Sequence, residues 1–208
     1  MSRNAWMIRP NPHNKYRLNE FKEKNMVAIG WPNIGNLSGK SKEDIREILS
    51  GKPYEYRSTT LGHADTVVDI MVNQMEIGDY VLIPDGDDIY FAIIDSDYQY
   101  DLSVDNNEDG YPHQRQVKNF TSRISRKELS DGLRSKLKFH GTGMKLSEYY
   151  EEIKVLAEGG TYSSKIKEIP ITYQLRPDYT MKLSIPEDMS KTEAERFSLF
   201  VKSLYYKE

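Results

Sequence analysis

Between residues 26 and 40 the chain reads MVAIGWPNIGNLSGK, a short apolar run followed by an indole and a loop of Asn, Ser and Gly. Val27, Ala28 and Ile29 have the character of a buried strand, Gly30 admits a tight backbone, and Trp31-Pro32 turns the chain out of it. An indole beside Asn33, Asn36 and Ser38 sets a flat apolar face next to hydrogen-bond donors and acceptors, the combination that holds a planar heterocycle. Trp31 is therefore expected to wall a pocket for such a ring, with Asn33 and Ser38 supplying hydrogen bonds and Tyr98 a second wall. Trp6 lies on an expected first strand whose alternation turns it inward, so it reads first as core and second as the floor of that pocket. Each of these residues reads equally well as a core or turn residue.

Other chemistries fit the spacing less well. GNLSGKS follows a strand and precedes a helix, as a phosphate loop does, but the first Gly of that motif falls on Ile34. The aspartates of PDGDD, residues 84–88, resemble the start of a metal-nuclease centre, yet no acidic-x-Lys triplet follows them and hairpin-turn chemistry accounts for them. His13, His63, His113 and His140 form no HxH or HxxxH pair, and the absence of Cys removes thiolate metal sites, thiol catalysis and disulfides. No Gly-x-Ser-x-Gly elbow is present. The expectation is a protein that binds without catalysing and needs no cofactor or metal.

Charge is uneven, although the net value is only -3. From Tyr80 to Gln114 there are nine Asp or Glu and no Lys or Arg, whereas from Lys118 to Lys145 eight Lys or Arg stand against Glu128 and Asp131. Arg115, Arg123, Arg126 and Lys127 are the expected phosphate contacts, with a solvated surface as the plainer reading. No window reaches the ~18 apolar residues of a membrane span, and the first 17 residues lack the apolar stretch of a secretion signal, so the expected compartment is the cytoplasm.

The elements that must position these residues follow from periodicity and caps. Strands are expected at Trp6–Arg9, at Met26–Gly30 and around 115–121, and a β-hairpin from YVLIP through DGDD to IYFAIIDS. Helices are expected at Tyr16–Lys24, at Lys42–Ser50 after the Ser41 cap, and through Ala64, Val67, Val68, Met71 and Met75 to Gly78. Further helices are expected at Arg126–Lys138 and Ser147–Ala157, with HGTG as the spacer between them, and Asp101–Gly110 as a long surface loop. Gly159-Gly160 closes this domain, 1–160, and from Lys165 the pattern becomes a hairpin and a helix opened by Ser190 with Glu193. That extension, 161–208, is too small to stand alone and should dock on the domain, on a partner, or on a second copy as a homodimer.

Four segments in register, AWMIRP, VAIGWPNIGNLSG, MEIGDYVLIPDGDDIYFAIIDSDYQYD and HQRQVKNFTSRISRKEL, resemble the EVE/PUA-like domain at the N-terminus of Mrr-type restriction endonucleases. The resemblance covers residues 4–155, and departs from the HxRxVxW pattern where Asn119 replaces Trp, with Phe120 next. It implies an α+β fold, a partly closed β-barrel with flanking helices, and a modified base flipped into an aromatic pocket. The expected function is a non-catalytic reader of modified double-stranded DNA in a bacterial restriction or phage-defence system, with RNA as the other nucleic acid to weigh. The rival reading is an assembly subunit whose C-terminal extension recruits a partner nuclease or ATPase.

Overall fold

The computed structural model describes residues 4–162, 168–187 and 189–204. They belong to two compact units, Met1–Tyr162 and Ser163–Glu208, and the pattern change expected at Lys165 lies outside the described residues.

The first unit is a mixed α+β fold around a curled half-barrel sheet with flanking helices. Its strands are β1 (Ala5–Ile8), β2 (Met26–Ile29), β3 (Tyr80–Asp85), β4 (Asp88–Ile94), β5 (Gln99–Tyr100), β6 (His113–Lys118), β7 (Ile124–Ser125) and β8 (Gly143–Lys145). They run in the order β2-β6-β4-β3-β1-β8, with β5 beside β6 and β7 beside β4. The pair β1 and β3 is parallel, and the others are antiparallel. The sheet is covered on both faces. Trp6 and Ile8 of β1 enter one apolar cluster, with Phe21, Ile45 and Val68, whereas Ala5 and Met7 enter another, with Leu133 and Ile153. Strands buried on both faces need apolar residues at every position, which is why β1 and β2 read as unbroken apolar runs.

Helices α1 (Leu18–Glu23), α2 (Lys42–Ser50) and α3 (Ser58–Asp69) supply the first cluster, and α4 (Asp131–Lys136) and α5 (Tyr150–Ala157) the second. Helix α2 starts where expected, with a reciprocal box between Ser41 and Asp44. The expected helix at 126–138 is instead split. Ser125 and Glu128 cap a single 3-10 turn at Arg126–Glu128, Leu129 is extended, and Ser130 caps α4 afresh. HGTG is more than a spacer, because the residues that follow His140 form β8 against β1, pairing Ile8 with Gly143 and Trp6 with Lys145. A Cβ on Gly143 would meet Ile8 Cδ1 at 2.9 Å and the Met7 carbonyl oxygen at 3.2 Å, so the two strands approach closely there.

Two expectations about site residues are corrected here. The Trp6 side chain is 0% exposed, and its Nε1 donates to Asp79 Oδ2 at 2.7 Å, so it belongs to the core and floors no open pocket. Arg115 is 2% exposed and is not placed to grip a phosphate. Helix α3 ends in a π-turn, Ile70–Gln74, whose wider winding leaves main-chain carbonyls unpaired. Arg115 Nε donates to the Met71 carbonyl at 2.6 Å, Nη2 to Val72 at 2.9 Å and Nη1 to Ser96 at 3.1 Å.

The second unit contains β9 (Glu168–Arg176) and β10 (Tyr179–Pro186), an antiparallel pair, followed by α6 (Lys191–Ser203) behind a Ser190–Glu193 box. No described side chain of α6 is buried.

Arg115→Leu should leave the Met71 and Val72 carbonyls buried without a donor and destabilise the first unit by about 3 kcal/mol or more. A lower urea midpoint at unchanged slope is the expected result, and an unchanged midpoint would refute this role.

Candidate functional site

The backbone at the end of β2 is strained. Trp31 has φ +62° and Asn33 φ +63°, in the left-handed region that a bulky side chain enters at a cost of ~1–3 kcal/mol. The chain there passes close to the Pro12–Asn14 turn, and a Cβ on Gly30 would come within 2.9 Å of the His13 main-chain nitrogen.

Surrounding hydrogen bonds hold the Trp31–Asn33 turn in place. His113, fully buried on β6, donates from Nε2 to the Trp31 carbonyl at 3.1 Å. A carbonyl can only accept, so the ring carries its proton on Nε2, and Nδ1 accepts from the Tyr98 hydroxyl at 2.7 Å. That hydroxyl accepts the Leu37 N–H at 3.3 Å, which completes a chain from one end of the loop to the other. Burial pushes the His113 pKa down to about 4, consistent with a neutral ring. Tyr54 donates to the Pro32 carbonyl at 3.0 Å, and its own burial, then Tyr56 and Asp105, raises its pKa so that it stays a donor.

The acidic loop expected at 101–110 supplies the remaining ties. The Asp105 carboxylate accepts the Asn33 N–H at 2.6 Å and the Tyr100 hydroxyl, and Asn107 Oδ1 accepts Asn33 Nδ2 at 2.6 Å. Arg17 anchors the far end of the loop through Asp109 at 2.7 Å.

Held this way, the Trp31 side chain lines a cavity of about 740 Å³ with a mainly apolar surface. Its walls are Trp31 and Tyr56, the stripe Thr60, His63, Ala64 and Val67 of α3, and the segment Phe139–Lys145. The His63 and Phe139 rings lie 6.5 Å apart. An adjoining cavity of about 210 Å³ shares Trp31, Tyr56 and Thr142 and adds Asn11, His13 and Asn14. An aromatic chamber thus meets a polar niche at the indole.

Phe139 and its neighbours are fixed by one side chain. Arg9 donates from Nε to the Gly141 carbonyl at 3.2 Å, and from Nη2 to Leu137 at 3.2 Å and Phe139 at 2.5 Å. Burial and the neighbouring Arg126 lower its pKa.

The other expected residues scatter. Asn33 is tied into its own turn, with its amide committed to Asn107, and lines neither cavity. Ser38 and Tyr98 line a separate cavity of about 500 Å³ together with Arg115. Tyr98 is committed to stacking on His113, with ring centres 5.9 Å apart. Arg123 is exposed with Asp88 3.6 Å away, Arg126 is half-buried, and Lys127 is exposed. Sequence reasoning missed Tyr56, His63, Phe139, Thr142 and Lys145. The spacing of Thr60, His63, Ala64 and Val67 is a helical stripe of its own, and was the signal available for that wall. Among the described residues no group of three or more His, Asp or Glu could hold a metal ion, and no helix is long and apolar enough to cross a membrane.

A family model described as "Domain of unknown function (DUF8426)" matches residues 6–137, and the chain belongs to that family. No curated protein matches it. Among solved structures, it is similar to the crystal structure of protein Atu2648 from Agrobacterium tumefaciens, with 11% identity and a TM-score of 0.38. That similarity covers 78% of this chain and 97% of the other.

His113 should impose a pH dependence on stability. Its folded pKa, about 4, lies below its ordinary 6.5, so the unfolded chain takes up the proton first. The stability is complete above pH 6.5 and is lost as pH falls toward 4, by up to about 3 kcal/mol. Glu20 adds its own loss only below its ordinary 4.5, since hydrogen bonds from Lys24, Tyr111 and Arg17 outweigh burial and hold it near 2. His113→Gln should flatten the fall in melting temperature between pH 6.5 and 4.5. Parallel curves for the two proteins would contradict the assignment.

Proposed function

We propose that the chain is a non-catalytic reader of modified bases in DNA, of PUA/EVE-like type, serving a bacterial restriction or phage-defence system. The observation that carries this reading is the indole of Trp31, which borders an aromatic cavity and is not sealed among packed aliphatic groups. A volume of about 740 Å³ lies within the range of small-ligand sites, ~300–1,000 Å³. Flipping a base from a duplex costs a few kcal/mol, and stacking contributes ~1–3 kcal/mol per base, so an aromatic chamber offsets much of the extrusion. The niche of Asn11 and Asn14 offers donors and acceptors to a base edge, beside His13, whose Nε2 is held by the Asn107 carbonyl at 3.0 Å. Arg123, Lys127 and Lys145 are exposed cations available to a backbone.

A second reading, an assembly subunit for a partner nuclease or ATPase, is favoured by the second unit. Tyr173, Leu175, Phe197, Leu199 and Phe200 are exposed there, an unusual density of apolar side chains for so short a segment.

Wild-type protein should bind duplexes carrying modified cytosine or adenine more tightly than plain duplexes, with RNA of the same sequence as a comparison. Trp31→Ala and, separately, Tyr56→Ala should each weaken the modified complex by about 5- to 150-fold with the circular dichroism spectrum preserved. Equal wild-type affinity for every duplex would overturn the reading.

Truncation after residue 162 tests the second one. If DNA binding survives and only self-association or partner binding is lost, the extension is a tether to a reader. A full-length chain that binds no nucleic acid would leave the assembly reading in its place.

A further inference from the structure

We propose that the aromatic cavity takes a ring together with its adjoining phosphate, the ring against Trp31 and the phosphate held by Lys145, His63 and His140. For a base in DNA this rests on the reading above and names the part of the flipped nucleotide that the cavity grips. A free mononucleotide carries the same two parts.

The charge of the lining carries the inference. The chain has 32 Asp or Glu against 29 Lys or Arg, yet among the described residues no carboxylate lines the large cavity or its niche. Lys145, His63 and His140 all line the large cavity, and all three are exposed. They arrive from β8, from α3 and from the segment that leads into β8, so the fold gathers on one cavity three groups that are scattered in sequence. The His63 ring stands 6.5 Å from that of Phe139, at the edge of the aromatic wall.

The acids nearest these walls in sequence are engaged elsewhere or lie outside the lining. On α3, Asp65 is buried and paired with Arg46, and Asp69 is buried and accepts the amides of Asn73 at 2.8 Å and Gln74 at 2.5 Å. Asp79 is buried and accepts the Trp6 indole at 2.7 Å and the Glu76 N–H at 3.0 Å. Glu148, three residues after Lys145, pairs with Lys136 at 2.9 Å. Glu55 and Glu76, close in sequence to Tyr56 and Gln74, line neither cavity.

Lys145 is placed without being neutralised. It stands opposite Trp6 in the pairing of β8 with β1, and its Nζ lies 5.3 Å from the centre of the Trp6 ring. Among the described residues no carboxylate pairs with it. A ring face attracts an ammonium through its quadrupole and leaves the unit charge in place, so the cation is oriented and still open to an anion. Ammonium and imidazole N–H groups donate, phosphate oxygens accept, and bonds between charged partners are the strong ones. The aromatic surface asks for a flat ring and the carboxylate-free cations for an oxyanion. A nucleotide joins the two through one sugar.

The test titrates the full chain, at fixed ionic strength, with ring-methylated deoxycytidine and amine-methylated deoxyadenosine, each as the nucleoside and as its monophosphate. For the base that fits, the monophosphate should bind about tenfold more tightly than the nucleoside. Lys145→Met, which keeps the aliphatic stem over Trp6, should bring that ratio towards one with nucleoside affinity and the circular dichroism spectrum preserved. Lys145→Arg should retain most of the ratio. Equal wild-type affinity for nucleoside and monophosphate, or a ratio unchanged in Lys145→Met, would overturn the proposal. A duplex arm separates this phosphate from the ordinary backbone: Lys145→Met should weaken the modified duplex about tenfold and the plain duplex far less. Equal losses on both would make Lys145 a general backbone contact and overturn the grip while leaving the reader. Binding of the monophosphate through Lys145 with no binding of any duplex would refute the reader and leave a nucleotide pocket, and a wild type that binds neither monophosphates nor duplexes would refute both.

Discussion

A tryptophan at positive φ does not stay there unaided, and the rest of the site depends on what holds it. The buried, neutral His113 does so, with its Nε2–H on the Trp31 carbonyl and its Nδ1 on Tyr98. In the neutral imidazole the two ring nitrogens play opposite roles, Nε2 donating and Nδ1 accepting. Burial, which makes the charged form expensive, is therefore part of the same device that fixes the turn. A strained residue kept by over-determining contacts is a common way to present a side chain to a cavity, and here the contacts come from β6 and from the acidic loop, which Arg17 anchors in turn.

This gives the acidic run another purpose. Taken as charge, the stretch from Tyr80 to Gln114 would repel a polyanion, but several of its carboxylates are engaged by other groups of the protein. Asp105 receives Asn33 and Tyr100, Asp109 receives Arg17, and Asp85 receives the Tyr16 hydroxyl. The carboxylates hold loops and strands in place as hydrogen-bond acceptors, so charge density along the chain is a poor guide to the field at its surface.

The opposite wall follows the same logic with a cation. Arg9 ties down three carbonyls of the Leu137–Gly141 segment, and Arg115 ties down those freed by the π-turn at the end of α3. Both walls of the cavity are thereby stabilised by arginines bonded to main chain. Neither arginine could have been distinguished from a surface cation by its neighbours in sequence. Arg126 resembles them in being partly enclosed, but its Nε makes no hydrogen bond.

Local rules account for what was legible. The β3–β4 hairpin closes on the two-residue turn Gly86-Asp87, the Ser41–Asp44 and Ser190–Glu193 boxes start their helices, and Leu18 and Phe21 face the core at helical spacing. These depend on residues a few positions apart, and the sequence carries them openly, as it does the indole and its Pro-Asn turn. The cavity does not work that way. It joins Trp31, the Thr60–Val67 stripe and Phe139–Lys145, brought together because β1 pairs in parallel with β3 and antiparallel with β8. Burial of Trp6 and Arg115 was likewise decided by partners 73 and 44 residues away, Asp79 and the Met71 carbonyl. Sequence by itself determined the elements and their apolar faces, because those arise from short-range sterics and periodicity. Tertiary structure alone decided which polar groups face solvent, which are consumed as hydrogen bonds, and where a space remains, because each of these depends on contacts between distant segments.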